Sequence, residues 1–312
     1  MGAASFVAFS GTRSGVPIRR ALSQTDVEDK IVLDVLDRML EDLIRVHNPL
    51  WALLPRRPGS GPAANIKQRT ARGAAGFVSD TEDPATVESS FGVPKNFPYK
   101  TILYPGKVTR RASAITRDQV DLVADEIESG VQDVRDVWEN CVINGAVADD
   151  ADSFDGLKTL TPAGQKVAMG ANGAPLTLNK IDEAIDLCFG KPTFITLAQR
   201  VHRELNALLQ AQQRWNDKVE VDGGFRLASY DGIPLVWTQW QSITEAKGTA
   251  NNASTMRFVN VGKCYAEDLT PLTRMVLART SSQFERFDIF LDTTLVLRNE
   301  KYISELNGIT PG

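Results

Sequence analysis

The chain has 312 residues, 42% of them hydrophobic and 24% charged, with a formal net charge of −4. That length allows one large domain or two smaller ones with a sizeable core. The composition is that of an ordinary soluble globular protein, and no run approaches the ~18 consecutive apolar residues of a membrane span.

The small net charge hides an asymmetry. Residues 1–115 hold 16 Lys and Arg against 11 Asp and Glu, and the remainder 19 against 28, so the first third is net +5 and the rest −9. A split of this kind points to polyanion contact or to contact between copies. Cys141, Cys188 and Cys264 are odd in number and widely spaced, which argues against a disulfide framework and suits a reducing compartment. Residues 3–9 are mildly apolar but lack a basic flank, so no signal peptide is expected.

In chain order, residues 1–22 carry no period, and Gly2, Gly11, Gly15 and Pro17 interrupt any element; Arg13, Arg19 and Arg20 make this a basic, extended arm. Thr25 to His47 places Val27, Ile31, Leu36, Leu40 and Leu43 on one helical face, with Thr25 and Glu28 as a capping box and Asn48-Pro49 as the stop. From Arg56 the chain turns loop-like. Short strand-like runs follow at Gly76–Ser79, Thr86–Val93, Tyr99–Tyr104 and Lys107–Ala112, confined to edges and hairpins by Pro84, Pro94, Pro98 and Pro105. Such an excursion has too little apolar content to bury a core alone and needs a partner surface.

Residues 116–144 are predicted as one long helix. Val120, Val123, Ile127, Val131, Val134, Trp138 and Cys141 recur every three or four positions. Thr116 with Gln119 forms a capping box, and Gly145 supplies a left-handed stop. Ala148–Thr177 is a connecting region. After it come helix Thr177–Cys188, strand Thr193–Leu197, helix Ala198–Gln212, a hairpin Phe225–Trp237 turning at Asp231-Gly232, and strands at Met256–Val261, Leu272–Arg279, Phe284–Phe290 and Thr293–Arg298. The class is α+β without a strict βαβ repeat.

No catalytic constellation emerges. His47 and His202 lie on different predicted helices, and no nucleophile elbow is present. Asp149-Asp-Ala-Asp152-Ser-Phe-Asp155-Gly156 has alternating oxygens, but its Gly falls one position late for a calcium loop, so it reads as a solvated acidic loop. Gly170-Ala-Asn-Gly173 lacks the Lys-Ser/Thr of a phosphate loop. No cofactor and no metal are expected. The early arginines could meet phosphates, though no aromatic residues interleave them as stacking platforms.

Several local strings carry a resemblance: Phe154-Asp-Gly-Leu157 after the long helix, Lys191-Pro-Thr-Phe-Ile-Thr-Leu197 with Arg200 to Leu209, Tyr230-Asp-Gly-Ile-Pro234, and Thr293 to Leu306. With the order of elements they resemble the major capsid proteins of tailed bacteriophages, the Hong Kong 97 fold. The resemblance implies an amino-terminal arm (1–55), an extended β-hairpin E-loop (56–115, the hairpin itself about 66–112), a P-domain (116–160 and 265–312) opened by a spine helix at 116–144, and an A-domain (161–264).

The implied function is self-assembly into an icosahedral head shell enclosing double-stranded DNA, in a virion assembled in the bacterial host cytoplasm. The implied partners are copies of itself as pentamers and hexamers, a scaffolding protein, a portal, a decoration or cement protein and the packaged DNA, with no membrane. Met1 favours a separate scaffold over a fused one. Lys95 and Lys100 fall in the E-loop, yet no crosslinking motif accompanies them.

The alternative is an encapsulin-type nanocompartment shell. From other classes come an unrecognised hydrolase, which would have to use His202 or Cys188, and a free DNA-binding protein, which the overall acidity disfavours. Candidate inter-subunit or DNA-facing residues are Arg13, Arg19, Arg20, Arg69, Arg72, Lys95, Lys100, Arg110, Arg111, Glu128 and Asp136. The acidic row Asp121, Asp125, Glu128, Asp133, Asp136 and Glu139 is expected to meet basic residues of a neighbour's arm or E-loop. Deleting residues 76–105 is expected to leave the A-domain folded but to abolish shells.

Overall fold

The computed structural model describes residues 47–77, 79–80, 88–116, 121–211, 217–221, 225–277 and 283–312. The expected helix at 25–47 lies outside this set except for His47, which is not helical. Asn48-Pro49 is a helix start rather than a stop: Pro49 is the first residue of α1 (Pro49–Leu53). A proline is tolerated there because the first turn has no acceptor for its missing N–H.

The chain then runs through β1 (Arg56–Pro58), β2 (Ala63–Ile66), β3 (Arg69–Ala71), β4 (Ser90–Phe91), β5 (Lys95–Pro98), β6 (Lys100–Thr109), α2 (Arg110–Thr116) and α3 (Leu122–Asn144). Next come α4 (Leu157–Leu160), β7 (Lys166–Ala168), α5 (Leu178–Leu187), β8 (Phe194–Leu197), α6 (Gln199–Ala211), β9 (Asp217–Val221), β10 (Phe225–Tyr230) and β11 (Ile233–Trp237). The last strands are β12 (Glu245–Lys247), β13 (Ala250–Val259), β14 (Cys264–Val276), β15 (Phe284–Leu297) and β16 (Ile303–Ile309).

Among the described residues these form a four-stranded sheet, β1-β14-β15-β6, and an eight-stranded sheet, β7-β16-β13-β8-β11-β10-β9, with β12 on β13. Two small ladders, β2-β5 and β3-β4, stand apart from both. The closing strand β16 belongs to the eight-stranded sheet, paired with β13 and β7, although the stretch 265–312 was expected to join the long helix.

The helix α3 spans 23 residues, roughly 35 Å at 1.5 Å per residue. Most of the expected stripe packs on the body: Val134 and Trp138 are fully buried on the side that meets β6 and β15, with Val123, Ile127, Val131 and Cys141 packed beside them; Val142, not expected, is fully buried too, and Val120 lies outside the described residues. Each fully buried side chain of this kind contributes roughly 1.5–3 kcal/mol.

Both ends differ from expectation. The start is Asp121, whose carboxylate accepts from Val123 N and Ala124 N at 3.1 and 3.3 Å, so one side chain satisfies two open donors beside the positive helix end. Thr116 ends α2 instead, and Gln119 lies outside the described residues. The stop at Gly145 is not left-handed (φ −53°, ψ 138°). Glycine is needed there for room: a Cβ would sit 2.3 Å from Phe154 O and 2.4 Å from Cys141 O.

Gly130, inside α3, is a second point of close approach. A Cβ there would lie 2.5 Å from the Tyr104 ring and 2.9 Å from Ile289 Cδ1. The Tyr104 ring has little freedom to retreat, because its hydroxyl donates to Glu126 at 2.7 Å. Gly130→Ala gains about 1 kcal/mol of helix propensity but overpacks the helix–sheet contact by typically 1–3 kcal/mol. The variant is therefore expected to melt several degrees below the parent in a thermal unfolding scan.

The strands are longer than the sequence suggested. Tyr99–Tyr104 and Lys107–Ala112 are one strand, β6, that runs straight through Pro105, which sits opposite Asp288. This is possible because β6 is the outer strand of its sheet, where a missing N–H costs no ladder bond. Residues 110–112 are helical instead. Likewise Phe284–Phe290 and Thr293–Arg298 are parts of the single 14-residue β15. No strand forms at residues 76, 77 and 79, and within Thr86–Val93 only Ser90–Phe91 is described as strand. The Asp231-Gly232 hairpin is as expected, with φ of 50° and 69° and Tyr230 opposite Ile233.

Candidate assembly surface

The surface of interest begins where residues 56–109 leave and re-enter the body. Its root is anchored tightly. Arg56 donates to Asp268 at 2.8 Å while its guanidinium lies 3.5 Å over Trp51, and Ala64 and Phe97 bury against Tyr265 and Val296. Gln68 Nε2 donates to Arg298 O at 2.7 Å, and Lys95 pairs with Glu300. Tyr99 donates its hydroxyl to Glu267; burial and that carboxylate push the phenol up to about 12, so it remains a donor throughout the physiological range.

Beyond the root this support ends. The β3-β4 ladder has Arg69, Thr70, Ala71, Ser90 and Phe91 all exposed. Phe77 is fully exposed, Val93 is 87% exposed and Phe91 64% exposed. Large apolar side chains left exposed on and beside a two-stranded ladder that adds no residue to the buried clusters mark an interaction surface.

The predicted residues scatter over several environments. Arg69 and Arg72 lie exposed on and beside β3, with the Arg69 guanidinium 5.4 Å from the Phe91 ring. Lys95 is spent on Glu300, and Lys100 donates to Ala151 O. Arg110 and Arg111 are exposed at the start of α2. Arg13, Arg19 and Arg20 lie outside the described residues.

The acidic row on α3 is not one uniform face. Asp125 and Glu128 are exposed, Glu126 accepts from Tyr104, and Asp136 accepts from Asn48 Nδ2 at 2.6 Å. Glu139 is fully buried and accepts from Leu50 N at 3.2 Å and Thr238 Oγ1 at 2.7 Å. Burial pushes its carboxyl up to about 7. It turns inward because positions 138 and 139 both face the packing side where α1 and the segment after β11 converge.

His202 and Cys188 are the residues that a hydrolase would have to use, and His47 is the other histidine of the chain. His47 stacks on Trp237 with ring centroids 3.5 Å apart. His202 is half-buried and burial lowers its pKa. Burial pushes the Cys188 thiol up to about 11, away from the thiolate form that nucleophilic attack requires. Among the described residues no group of three or more His, Cys, Asp or Glu is placed to hold a metal ion, and no helix is long and apolar enough to cross a membrane.

No protein-family model and no curated protein matches the chain. Solved structures do. The SrpI encapsulin of Synechococcus elongatus superposes with a TM-score of 0.71 at 15% identity, over 93% of this chain and 97% of that one. The capsid of a native GTA particle gives 0.69 at 13% identity, over 93% and 99%. A structure of Microbacterium phage Oxtober96 gives 0.64 at 18% identity, over 93% and 99%. The chain has the Hong Kong 97 fold.

The exposed Phe77, Phe91 and Val93 lie between β3 and β5, and α3 is the longest helix among the described residues. Sequence reasoning named basic residues on the expected hairpin and missed its apolar ones. The signal was there: Phe77 and Phe91 stand in a stretch broken by glycine and proline, where no periodic apolar partner could cover them. The part played by Lys263, Arg298 and Lys301, which border the hairpin root, had no sequence signal, because they lie more than 160 positions away.

Proposed function

We propose that the chain is the major capsid protein of a tailed bacteriophage, a structural subunit that closes into an icosahedral shell around double-stranded DNA. The carrying observation is the set of exposed apolar side chains in the excursion between β3 and β5: Phe91 on the β3-β4 ladder, which pairs with neither large sheet, and Phe77 and Val93 in the segments beside it. In this reading residues 56–115 are the E-loop lying across an adjacent subunit, and α3 with the four-stranded sheet is the core of the P-domain. The eight-stranded sheet with α5 and α6 is the A-domain, which meets its copies around five-fold and six-fold axes. Many small contacts repeated over a closed shell make it stable collectively. A scaffolding protein, a portal and a decoration protein are the expected partners, and the virion is the expected location, with assembly in the host cytoplasm.

The encapsulin reading has its own support, since the SrpI encapsulin superposes with a TM-score of 0.71. Particles purified from expressing cells separate the two. Nuclease-resistant double-stranded DNA inside them, and portal and terminase genes beside this one, support the phage reading. An enclosed enzyme without DNA, with a peroxidase or ferritin-like gene nearby, supports the nanocompartment.

A further inference from the structure

Lys67, Arg69 and Arg72 at the hairpin root line one open cleft of about 820 Å³ with Lys263, Arg298 and Lys301 of the body. Glu300 is the one acidic side chain among the described residues lining it, and Lys95 already pairs with it. None of the six cations makes an ion pair with a described residue. Four of them lie over rings instead: Arg69 5.4 Å from Phe91, Lys301 5.8 Å from Phe189, Arg298 5.9 Å from Tyr265 and Lys263 5.9 Å from Tyr302. Ring faces orient a cation but leave its charge unneutralised. Six such charges around a concavity focus a positive potential into it, which makes the cleft an acceptor for a polyanion.

The chain itself carries a complement. Asp121, Asp125 and Glu128 are exposed at spacings of four and three along the first turns of α3, so they form one stripe about 10 Å long. No ion pair joins this stripe to the cleft within one subunit among the described residues. The start of α3 instead adjoins the far end of β6, where Val123 borders Val108, Thr109 and Ser113. Among the described residues the two sets of opposite charge line different surfaces of one subunit, which leaves a contact between copies as the way for them to meet. That is a heterologous contact of the kind that builds rings, in keeping with a first third of +5 and a remainder of −9.

We propose that the cleft at the hairpin root receives the acidic first turns of α3 from a second copy of the chain. The proposal rests on the shell reading in requiring that copies associate, and it names where the neighbour's helix is held. A nucleic-acid backbone is the competing occupant. It is less favoured because Phe189 is the one aromatic side chain among the described residues lining the cleft and one of its faces is already stacked on Tyr302 at 5.9 Å, so the cleft offers no series of platforms for successive bases.

Three full-length variants test this: Arg69→Glu with Arg72→Glu, Asp125→Lys with Glu128→Lys, and all four together. All four side chains are exposed, so thermal melts like the parent's are expected to report intact folding. Each pair alone is expected to lower the assembled fraction at low salt by roughly tenfold or more, while high salt reduces the difference. The fourfold variant, with both signs exchanged, is expected to recover most of that assembly.

Folded variants that assemble like the parent overturn the proposal, as does a fourfold variant no better than either pair. Loss of bound nucleic acid from the Arg69→Glu, Arg72→Glu particles with assembly intact overturns it in favour of phosphate binding. A parent chain that never associates overturns the shell reading and this proposal together, whereas parent and variant shells alike overturn this proposal alone.

Discussion

Replacing residues 67–94 with Asn-Gly is expected to abolish shell assembly while leaving the subunit folded. Ile66 and Lys95 face each other at the end of the β2-β5 ladder, so a two-residue turn can close the hairpin at that point. The buried residues of the three apolar clusters include none between 67 and 94. The thermal midpoint should therefore shift by only a few degrees. The excision removes Phe77, Phe91 and Val93, each able to contribute roughly 1.5–3 kcal/mol when covered by a neighbour, and a closed shell repeats that loss at every subunit. Sedimentation velocity should find the excised chain as monomer or small oligomer, and full-sized particles would contradict the role given to the hairpin. The wider deletion of 76–105 suggested by the sequence is not equivalent. It removes half of β6, whose Ile102 and Tyr104 pack on the core, so its failure to assemble could reflect misfolding.

Glu139→Gln is expected to flatten the pH dependence of stability, and Glu139→Ala to lower stability at every pH. Glu139 links three elements: it accepts from Leu50 N in α1 and from Thr238 after β11, and it belongs to α3. Burial is the main reason that its carboxyl titrates near 7 rather than the ordinary 4.5; Asp136 nearby also raises it, and the bonds from Thr238 and Leu50 partly oppose the shift. Because the folded state binds this proton more tightly than the unfolded state, the free energy of unfolding falls as pH rises from about 4.5 through about 7 and is level above. A shift of this size corresponds to about 3 kcal/mol.

Glutamine can accept from Leu50 N and donate to the Thr238 hydroxyl, so it keeps both contacts and removes the ionisation. The Gln variant should match the parent near pH 5 and exceed it near pH 8 in denaturant titrations. Alanine leaves two buried donors without an acceptor, at roughly 1–3 kcal/mol each. A Gln variant with the parent's pH slope would assign that slope to another group.

Much of this fold could be read from the chain. Elements with a strong period were legible, because burial of one face imposes the period: the stripe of α3, the faces of α5 and α6, and the Asp231-Gly232 turn. Ends were less so. Asp121 displaced Thr116 as the cap because any short side-chain acceptor can do this work, and only tertiary packing chooses among neighbours. Pro105 suggested a break that the outer position of β6 made unnecessary. The candidate surface was half legible. Its basic residues stand out in the sequence, but whether a carboxylate such as Glu139 points inward depends on Leu50 and Thr238, which are 89 and 99 positions away.

Cryo-electron microscopy of the purified full-length protein tests the central claim most directly. The shell reading predicts closed icosahedral particles in which residues 67–94 lie across an adjacent subunit, with Phe77, Phe91 and Val93 covered. A protein that stays monomeric at high concentration, or particles in which that hairpin touches no neighbour, would contradict it.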